Sequence, residues 1–302
     1  MNKSYEEQYL GMCRNILENG EYTEDRTGTG TSSIFGGMIR HDLSEGFPLL
    51  TTKKINFNLI VGELLWMLSG KTDLISLRQY QNKGKGSHTI WSDDFKKFWE
   101  TTGLNTERHV KDQTGGNIYG KQLRNFSHGC GETHDQLKEL IKNIEAVKLD
   151  PNHPMGRRLR CTFWHPFDHT VGDKATCALP ACHTDFQCLV RDGKLHLSYS
   201  MRSNDVFLGN PFNTGFYATL CHVLAKLTGL EVGDLVYFGN DIHIYSNHID
   251  QVNEQLSREP REQPKLLLPE FDTLEELLNL TGKDFQLEGY NPHGFIKAPQ
   301  AS

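Results

Sequence analysis

Several features are missing from the sequence, and each absence excludes a class of protein. No apolar run is long enough to span a membrane, and the first residues lack the hydrophobic stretch of a signal peptide. No CxxC pair and no His/Cys spacing of a zinc site occurs, and the seven cysteines are odd in number. The formal net charge of -6 argues against a general nucleic-acid binder. We therefore expect a cytoplasmic protein with reduced thiols that needs no metal, no membrane and no nucleic acid.

The 302 residues can enclose a sizeable core, and no repeat, low-complexity segment or linker divides them. We predict a single domain over residues 1–302. Residues 71–130 are polar with short aromatic islands, so we predict an irregular region with short helices, an insertion or lid. Apolar spacing predicts helices over residues 5–19, 55–69, 134–148 and 214–228. Alternating or apolar runs predict strands at residues 32–43, 159–165, 186–190, 195–199 and 235–241.

The stretch 179–213 contains the most suggestive chemistry. Cys182 comes two residues after Pro180, and the Asp-Gly pair at 192–193 between two alternating runs predicts a β-hairpin. Such a hairpin would bring Arg202 across from Cys182, where a cation favours the thiolate. Asn213 ends the stretch with an amide. This combination indicates a nucleophile beside a site for a polar, anionic small molecule. A cysteine hydrolase would also need a histidine base, and His183 should point away if it follows Cys182 in a strand.

Two further residues have two interpretations each. Glu63 lies in an apolar helix, so it is either a hydrogen-bonded structural carboxyl or a proton-handling group in a cleft, and we favour the cleft. Arg26 lies in a Gly- and Thr-rich stretch that is either a plain loop or an anion clamp.

Other charged and polar residues are less distinctive. The adjacent Arg157 and Arg158 suggest a solvated edge unless an anion lies nearby. His243 and Tyr245 are two residues apart, so in a strand they share a face. Most of the 14 histidines should be surface or core groups.

Many short segments of this sequence together resemble the thymidylate synthase family, nearly from end to end. These segments are DRTGTGT, GFPLLTTKK, ELLW, TIW, IYGKQ, GRR, LPACH, RSNDVFLGNPFN, HIYSNH, QLSREP and GYNPHGFIKAP. The resemblance implies an α/β (α+β) fold with a large mixed β-sheet covered by helices, assembled as a homodimer. It also implies dUMP as substrate and 5,10-methylenetetrahydrofolate as co-substrate, with no metal.

The resemblance also implies roles for particular residues. Cys182 matches the nucleophile that attacks C6 of the pyrimidine, and Asn213 matches the amide that reads the base, where an amide suits uracil better than cytosine. The implied proton-handling residues are Glu63, Tyr119 and His183, and Asp205 is implied as a further carboxylate of the catalytic site. The implied phosphate ligands are Arg26, Arg202 and Ser203, with Arg157 and Arg158 from the partner subunit. The implied ribose ligands are His243 and Tyr245. The implied folate contacts are Lys53, Trp91, Asp205 and Gly209.

The sequence departs from the family pattern at several positions. The differences are Asn56, Asp94, Leu123, His165, the segment Met201-Arg202-Ser203-Asn204-Asp205 and the ending Gln300-Ala301-Ser302. The MRSND segment resembles phage deoxypyrimidine hydroxymethylases. In the family, Asp94 and Ser302 would belong to a lid that is normally apolar, and hydride transfer needs a dry site. We therefore expect 5-hydroxymethyl-dUMP as product and keep dTMP as the alternative. A phage origin would agree with this product, and a phage-encoded protein would lie in the host cytoplasm. A catalytically silent nucleotide- or mRNA-binding homologue and a thiol hydrolase are weaker alternatives.

Overall fold

The structure is a computed structural model that describes residues 3–24, 28–103, 113–128, 131–169 and 172–299. The helices are α1 (Tyr5–Asn19), α2 (Phe57–Leu68), α3 (Leu74–Tyr80), α4 (Ser92–Thr102), α5 (Tyr119–Arg124), α6 (Gln136–Leu149), α7 (Gly209–Thr228), α8 (Ile249–Leu256) and α9 (Leu274–Leu277). The strands are β1 (Glu21–Thr23), β2 (Thr31–Asp42), β3 (Phe126–His128), β4 (Glu132–His134), β5 (Arg160–Thr162), β6 (His183–Arg191), β7 (Lys194–Asp205), β8 (Glu231–Tyr245), β9 (Lys265–Leu267) and β10 (Gln286–Glu288).

The centre of the fold is a six-stranded mixed sheet. Its strand order is β1-β2-β8-β7-β6-β5, and β7 and β8 are parallel while the other neighbours are antiparallel. Helix α7 joins the two parallel strands, as a crossover connection requires. Helices α1, α2 and α7 pack on one side of this sheet and enclose the core. The predicted fold class, a large mixed sheet covered by helices, is confirmed.

The predicted hairpin between β6 and β7 places the cysteine. Its two turn residues, Asp192 and Gly193, have φ of 52° and 74°, and positive values at both positions define the tight turn whose twist matches that of the strands. The two-residue turn sets the register as far as the pair Asp185 and Ser200. An irregularity between His183 and Asp185 then shifts the pairing by one residue, and Cys182 and Arg202 meet at the far end of the hairpin. The backbone N–H of Arg202 donates to the carbonyl of Cys182 at 2.9 Å.

Helix α7 begins earlier than its apolar pattern predicts. Oδ1 of Asp205 accepts hydrogen bonds from the backbone N–H groups of Phe207 (2.9 Å) and Leu208 (3.1 Å), so the chain already turns there. Pro211 is tolerated because the first turn of a helix has no intrahelical use for its missing N–H. Asn213 therefore lies on the second turn of a helix rather than in the loop before it.

The described part of residues 71–130 holds three short helices, α3, α4 and α5. Its aromatic side chains belong to the core: the ring of Trp91 lies 5.8 Å from that of Trp66 and 5.7 Å from that of Phe95. The expectation of short helices is confirmed, whereas a lid function for the segment stays a prediction.

The other side of the central sheet is open in the single chain. Met38 on β2 and Phe238 on β8 are cross-strand partners, and their side chains are 61% and 44% exposed. Two adjacent exposed apolar side chains on a sheet face are typical of a surface that another chain covers.

None of the helices in the described ranges is both long and apolar enough to cross a bilayer.

Candidate active site

The thiol of Cys182 lies beside a fixed guanidinium. Nη2 of Arg202 is 3.6 Å from Sγ of Cys182, and the same nitrogen donates to the carbonyl of Pro180 at 3.1 Å. Nε of Arg202 donates to the carbonyl of Ala181 at 2.7 Å. These bonds hold the cation next to a half-buried sulfur, which favours the thiolate that nucleophilic attack requires. The predicted pairing of Cys182 with Arg202 is present.

The hydroxyl group of Tyr119 fixes the backbone at the cysteine. It accepts the backbone N–H of Cys182 at 2.8 Å and that of His183 at 3.4 Å. Burial raises the pKa of Tyr119 far above its usual range, so the group stays a neutral hydroxyl. Tyr119 is thus placed next to the predicted nucleophile, as expected for a proton-handling residue.

His183 lies inward, against helix α7. Nδ2 of Asn213 donates to its Nε2 at 3.1 Å, and its Nδ1 lies 2.9 Å from the hydroxyl of Tyr217. Burial lowers the pKa of His183 to about 3, so the ring is neutral near pH 7. Both ring nitrogens are therefore engaged by other groups and do not bond the sulfur of Cys182. This placement weighs against a thiol hydrolase, which needs a histidine base on the cysteine.

Asn204, which the sequence named only as part of a departing segment, holds Asn213 in place and is itself held by two residues that the sequence did not single out. Oδ1 of Asn213 accepts from Nδ2 of Asn204 at 2.9 Å. Oδ1 of Asn204 in turn accepts from Nδ2 of Asn210 at 2.9 Å and from the hydroxyl of Tyr237 at 2.8 Å. The buried residues of β7 alternate from Leu195 to Met201, which would place Ser203 rather than Asn204 inside. The alternation therefore contained no signal for the burial of Asn204, although a buried polar residue needs a partner.

Glu63 on helix α2 is linked to the site through Trp91. Its Oε1 accepts the indole N–H of Trp91 at 3.0 Å, and the ring of Trp91 lies 5.9 Å from that of Tyr119. Burial raises the pKa of Glu63 to about 7, with the bond from Trp91 opposing this effect. A carboxyl group with a pKa near the working pH is suited to proton transfer. Trp91 thus links Glu63 to Tyr119, and the role of Glu63 as a cleft carboxyl stays a prediction.

The four residues predicted to contact folate differ in their surroundings. Lys53 is only 3% exposed; its Nζ donates to the carbonyl of Phe207 and lies 3.4 Å from the centre of that ring. Burial lowers the pKa of Lys53 to about 7. Trp91 is also buried, with its N–H on Glu63. Asp205 is half-buried, and its carboxylate is fixed by the backbone at the start of α7, next to Gly209.

Two predicted substrate ligands share Asp241 as a neighbour. The hydroxyl of Ser203 donates to Oδ2 of Asp241 at 3.4 Å, and Nδ1 of His243 lies 3.5 Å from the same oxygen. Burial opposes protonation of His243, but the Asp241 carboxylate outweighs it and raises the pKa of the ring above its usual value. The ring of Tyr245 lies 5.2 Å from that of His243. The parallel pairing of β7 with β8 brings this cluster together, because Ser203 is opposite Asp241.

Some predicted residues do not join this cluster. Arg157 and Arg158 are exposed, and Nη1 of Arg158 donates to the carbonyl of Pro154 at 2.6 Å. Arg26 and Ser302 lie outside the described residues.

Comparison with known proteins agrees with this geometry. The family model described as thymidylate synthase matches residues 7–302. A probable thymidylate synthase of Escherichia phage T5 is 43% identical over 300 residues, covering 98% of this chain and 100% of the relative. A thymidylate synthase of Listeria monocytogenes serotype 4a is 42% identical over 322 aligned positions, covering 97% and 98%.

The match extends over almost the whole chain, and the cysteine, arginine and amide that the resemblance requires lie together in the structure. The chain belongs to the thymidylate synthase family, and it is a transferase that acts at C5 of dUMP with 5,10-methylenetetrahydrofolate as co-substrate.

Proposed function

We propose that this chain is a thymidylate synthase, which converts dUMP to dTMP by reductive methylation and releases dihydrofolate. The observation that carries the proposal is the 3.6 Å contact between Nη2 of Arg202 and Sγ of Cys182, with the Asn213 amide linked to the adjacent His183. A thiolate next to a cation and an amide is suited to add to C6 of a uracil nucleotide. This addition makes C5 nucleophilic.

The other site residues would bind the phosphate, the ribose and the base, or transfer protons. Arg202 and Ser203 bind the phosphate, together with Arg26. His243 and Tyr245 bind the ribose hydroxyl. Asn213 accepts from N3–H of the uracil and donates to its O4. Glu63 and Tyr119 move protons at the base, and Trp91 keeps the Glu63 carboxyl buried and oriented.

Folate supplies the one-carbon unit and, in this reaction, the hydride. Asp205 is the group best placed to hold its polar ring, and Gly209 leaves space beside that carboxylate. Folate roles for Lys53 and Trp91 stay predictions, because both side chains are buried against protein groups.

A homodimer is part of the proposal. The open sheet face with Met38 and Phe238 offers an apolar surface for a second copy, and the exposed Arg157 and Arg158 are then available to reach the partner's phosphate site. The predicted cytoplasmic location likewise stays a prediction.

The product is where the proposal departs from the preference drawn from the sequence. That preference for 5-hydroxymethyl-dUMP rested on the MRSND segment at 201–205 and on two polar residues, Asp94 and Ser302. Asp94 lies in the first turn of α4 and is half-buried, and Ser302 is outside the described residues. The similar proteins, one of them from a phage, carry the name thymidylate synthase, which favours dTMP.

Product analysis tests the proposal. The enzyme is incubated with dUMP and 5,10-methylenetetrahydrofolate, and mass spectrometry should show dTMP and an equal amount of dihydrofolate. Hydroxymethyl-dUMP with tetrahydrofolate retained would overturn the product assignment in favour of the hydroxymethylase. Failure to release tritium from 5-tritiated dUMP would instead indicate a binding-only homologue.

A further inference from the structure

Three asparagines form a chain of amide hydrogen bonds that ends at the base-reading site. Asn210 donates to Asn204, Asn204 donates to Asn213, and Asn213 donates to His183, with distances of 2.9, 2.9 and 3.1 Å. We call Asn210, Asn204 and Asn213 the amide chain. Asn204 is 3% exposed and Asn210 is 0% exposed, whereas Asn213 is partly exposed. Only the last member can therefore contact a nucleotide.

The hydrogen bonds of the amide chain determine which donor and which acceptor of Asn213 are left for a nucleotide. A carboxamide has two acceptor sites on oxygen and two hydrogens on nitrogen. Asn204 uses one acceptor site and His183 uses one hydrogen. One acceptor and one donor remain side by side. They complement the N3–H and O4 of uracil, while cytosine presents the opposite pair, an acceptor at N3 and a donor at its amino group.

Reading cytosine would require the amide of Asn213 to turn over. Its NH2 group would then face the NH2 group of Asn204, and two donors would meet without an acceptor. Asn204 resists turning in response, because its oxygen accepts from both Asn210 and Tyr237. An unsatisfied buried donor is costly, and its cost corresponds to about a ten-fold or larger change in an equilibrium.

We propose that Asn204 is a specificity-determining positioning residue that fixes the direction of the Asn213 amide, so that the site binds uracil and rejects cytosine. Asn204 does this without touching the nucleotide. The inference rests on the proposed function, in which Asn213 contacts the pyrimidine.

The substitution Asn204→Asp reverses the donor at position 204 with little change in shape. The new carboxylate still accepts from Asn210 and Tyr237, but it offers Asn213 an acceptor. Asn213 then turns its NH2 group toward position 204 and its oxygen toward His183. His183 can follow by carrying its proton on Nε2 and accepting from Tyr217 at Nδ1. The groups left for the base now match cytosine.

Dissociation constants of dUMP and dCMP, measured by calorimetry on the full-length protein, test this inference. In Asn204→Asp the ratio Kd(dUMP)/Kd(dCMP) should rise about ten-fold or more, and the rise should grow with pH as the new carboxyl ionises. Asn279→Asp makes the same chemical change at an exposed position and should leave the ratio unaltered. Asn204→Ala removes the donor without adding an acceptor, so the ratio should rise by a smaller factor.

The outcomes separate the two proposals. If the unaltered protein binds dUMP more tightly than dCMP but folded Asn204→Asp and Asn204→Ala keep the same ratio, Asn204 has only a structural role and the inference fails alone. If Asn204→Asp does not fold, an unchanged ratio in Asn204→Ala overturns the inference by itself. If the unaltered protein shows no preference for dUMP, the proposed function fails first.

Discussion

The two sides of the Cys182 site differ in how their charge responds to pH. On the base-reading side, His183, Asn204 and Asn213 are joined by direct hydrogen bonds, and the pKa of His183 is about 3. On the proton-handling side, Glu63 is bonded to Trp91 and its pKa is about 7. The first side presents a fixed pattern of neutral donors and acceptors. The second side changes its charge within the physiological pH range.

Burial produces both results, because it disfavours the charged form of each group. For a histidine this lowers the pKa and removes the charge at neutral pH, which keeps the base-reading pattern constant. For a carboxyl it raises the pKa toward the pH at which general acid–base catalysis is most effective. The same desolvation therefore makes one side insensitive to pH and the other sensitive to it.

Removing the thiol should stop the reaction while both sides of the site keep their contacts. In Cys182→Ala no bond to C6 can form, so release of tritium from 5-tritiated dUMP should fall by about 10⁴-fold or more. Trapping with 5-fluoro-dUMP and folate should give no covalent complex, while dUMP binding measured by calorimetry persists. Tritium release near the normal rate would refute the nucleophile assignment.

The substitution Glu63→Gln should affect the proton-handling side alone. We expect kcat to fall by about 10²–10⁴-fold, as for loss of a general acid or base, with little change in the Kd for dUMP. The pH profile of kcat/KM should also lose an inflection near pH 7. An unaltered profile in the variant would show that another group controls the protonation step.

Asn213→Asp should change the base-reading side alone. The carboxyl group of an aspartate at position 213 can accept from the amino group of cytosine and, when it is protonated, donate to N3. It therefore suits dCMP better than dUMP, and the selectivity should shift by about 10- to 100-fold toward dCMP. Competition kinetics with both nucleotides measure the shift. Retained selectivity for dUMP would refute amide readout by Asn213, and with it the basis of the inference about Asn204.

The smallest expected effect concerns stability and again distinguishes the two sides. Burial raises the pKa of Glu63 from 4.5 to about 7, so the native state binds more protons than the unfolded state between these values. The contribution of Glu63 to stability therefore falls as pH rises through this window.

Glu63→Gln removes that dependence. Thermal unfolding at pH 5 and pH 8 should show the variant gaining several degrees relative to the unaltered protein at the higher pH. A stability difference that is the same at both pH values would contradict the raised pKa of Glu63. Dependence that persists from other groups, such as His243, is common to both proteins and cancels in the comparison.

Local rules predict much of this molecule from its sequence. Apolar periodicity locates α1, α2 and α6, and the two-residue turn at Asp192 and Gly193 predicts the hairpin that brings Cys182 near Arg202. Resemblance to a family supplies the roles of these residues. None of these steps depends on how distant elements pack.

What the sequence does not predict depends on such packing. The Asn204–Asn213 bond requires the end of β7 to meet the second turn of α7, and the contact of Asp241 with Ser203 requires the parallel pairing of β8. The burial of Lys53 is also unexpected, because a lysine in a polar context normally lies at the surface. In each case, tertiary contacts override what the residue type suggests.

The open face of the central sheet links the fold to protein concentration. If Met38 and Phe238 are covered by a second copy, as we propose, part of the apolar burial exists only in the associated state. Stability then follows mass action, and the unfolding midpoint rises with the logarithm of enzyme concentration. Dilution would act on this enzyme as a mild denaturant.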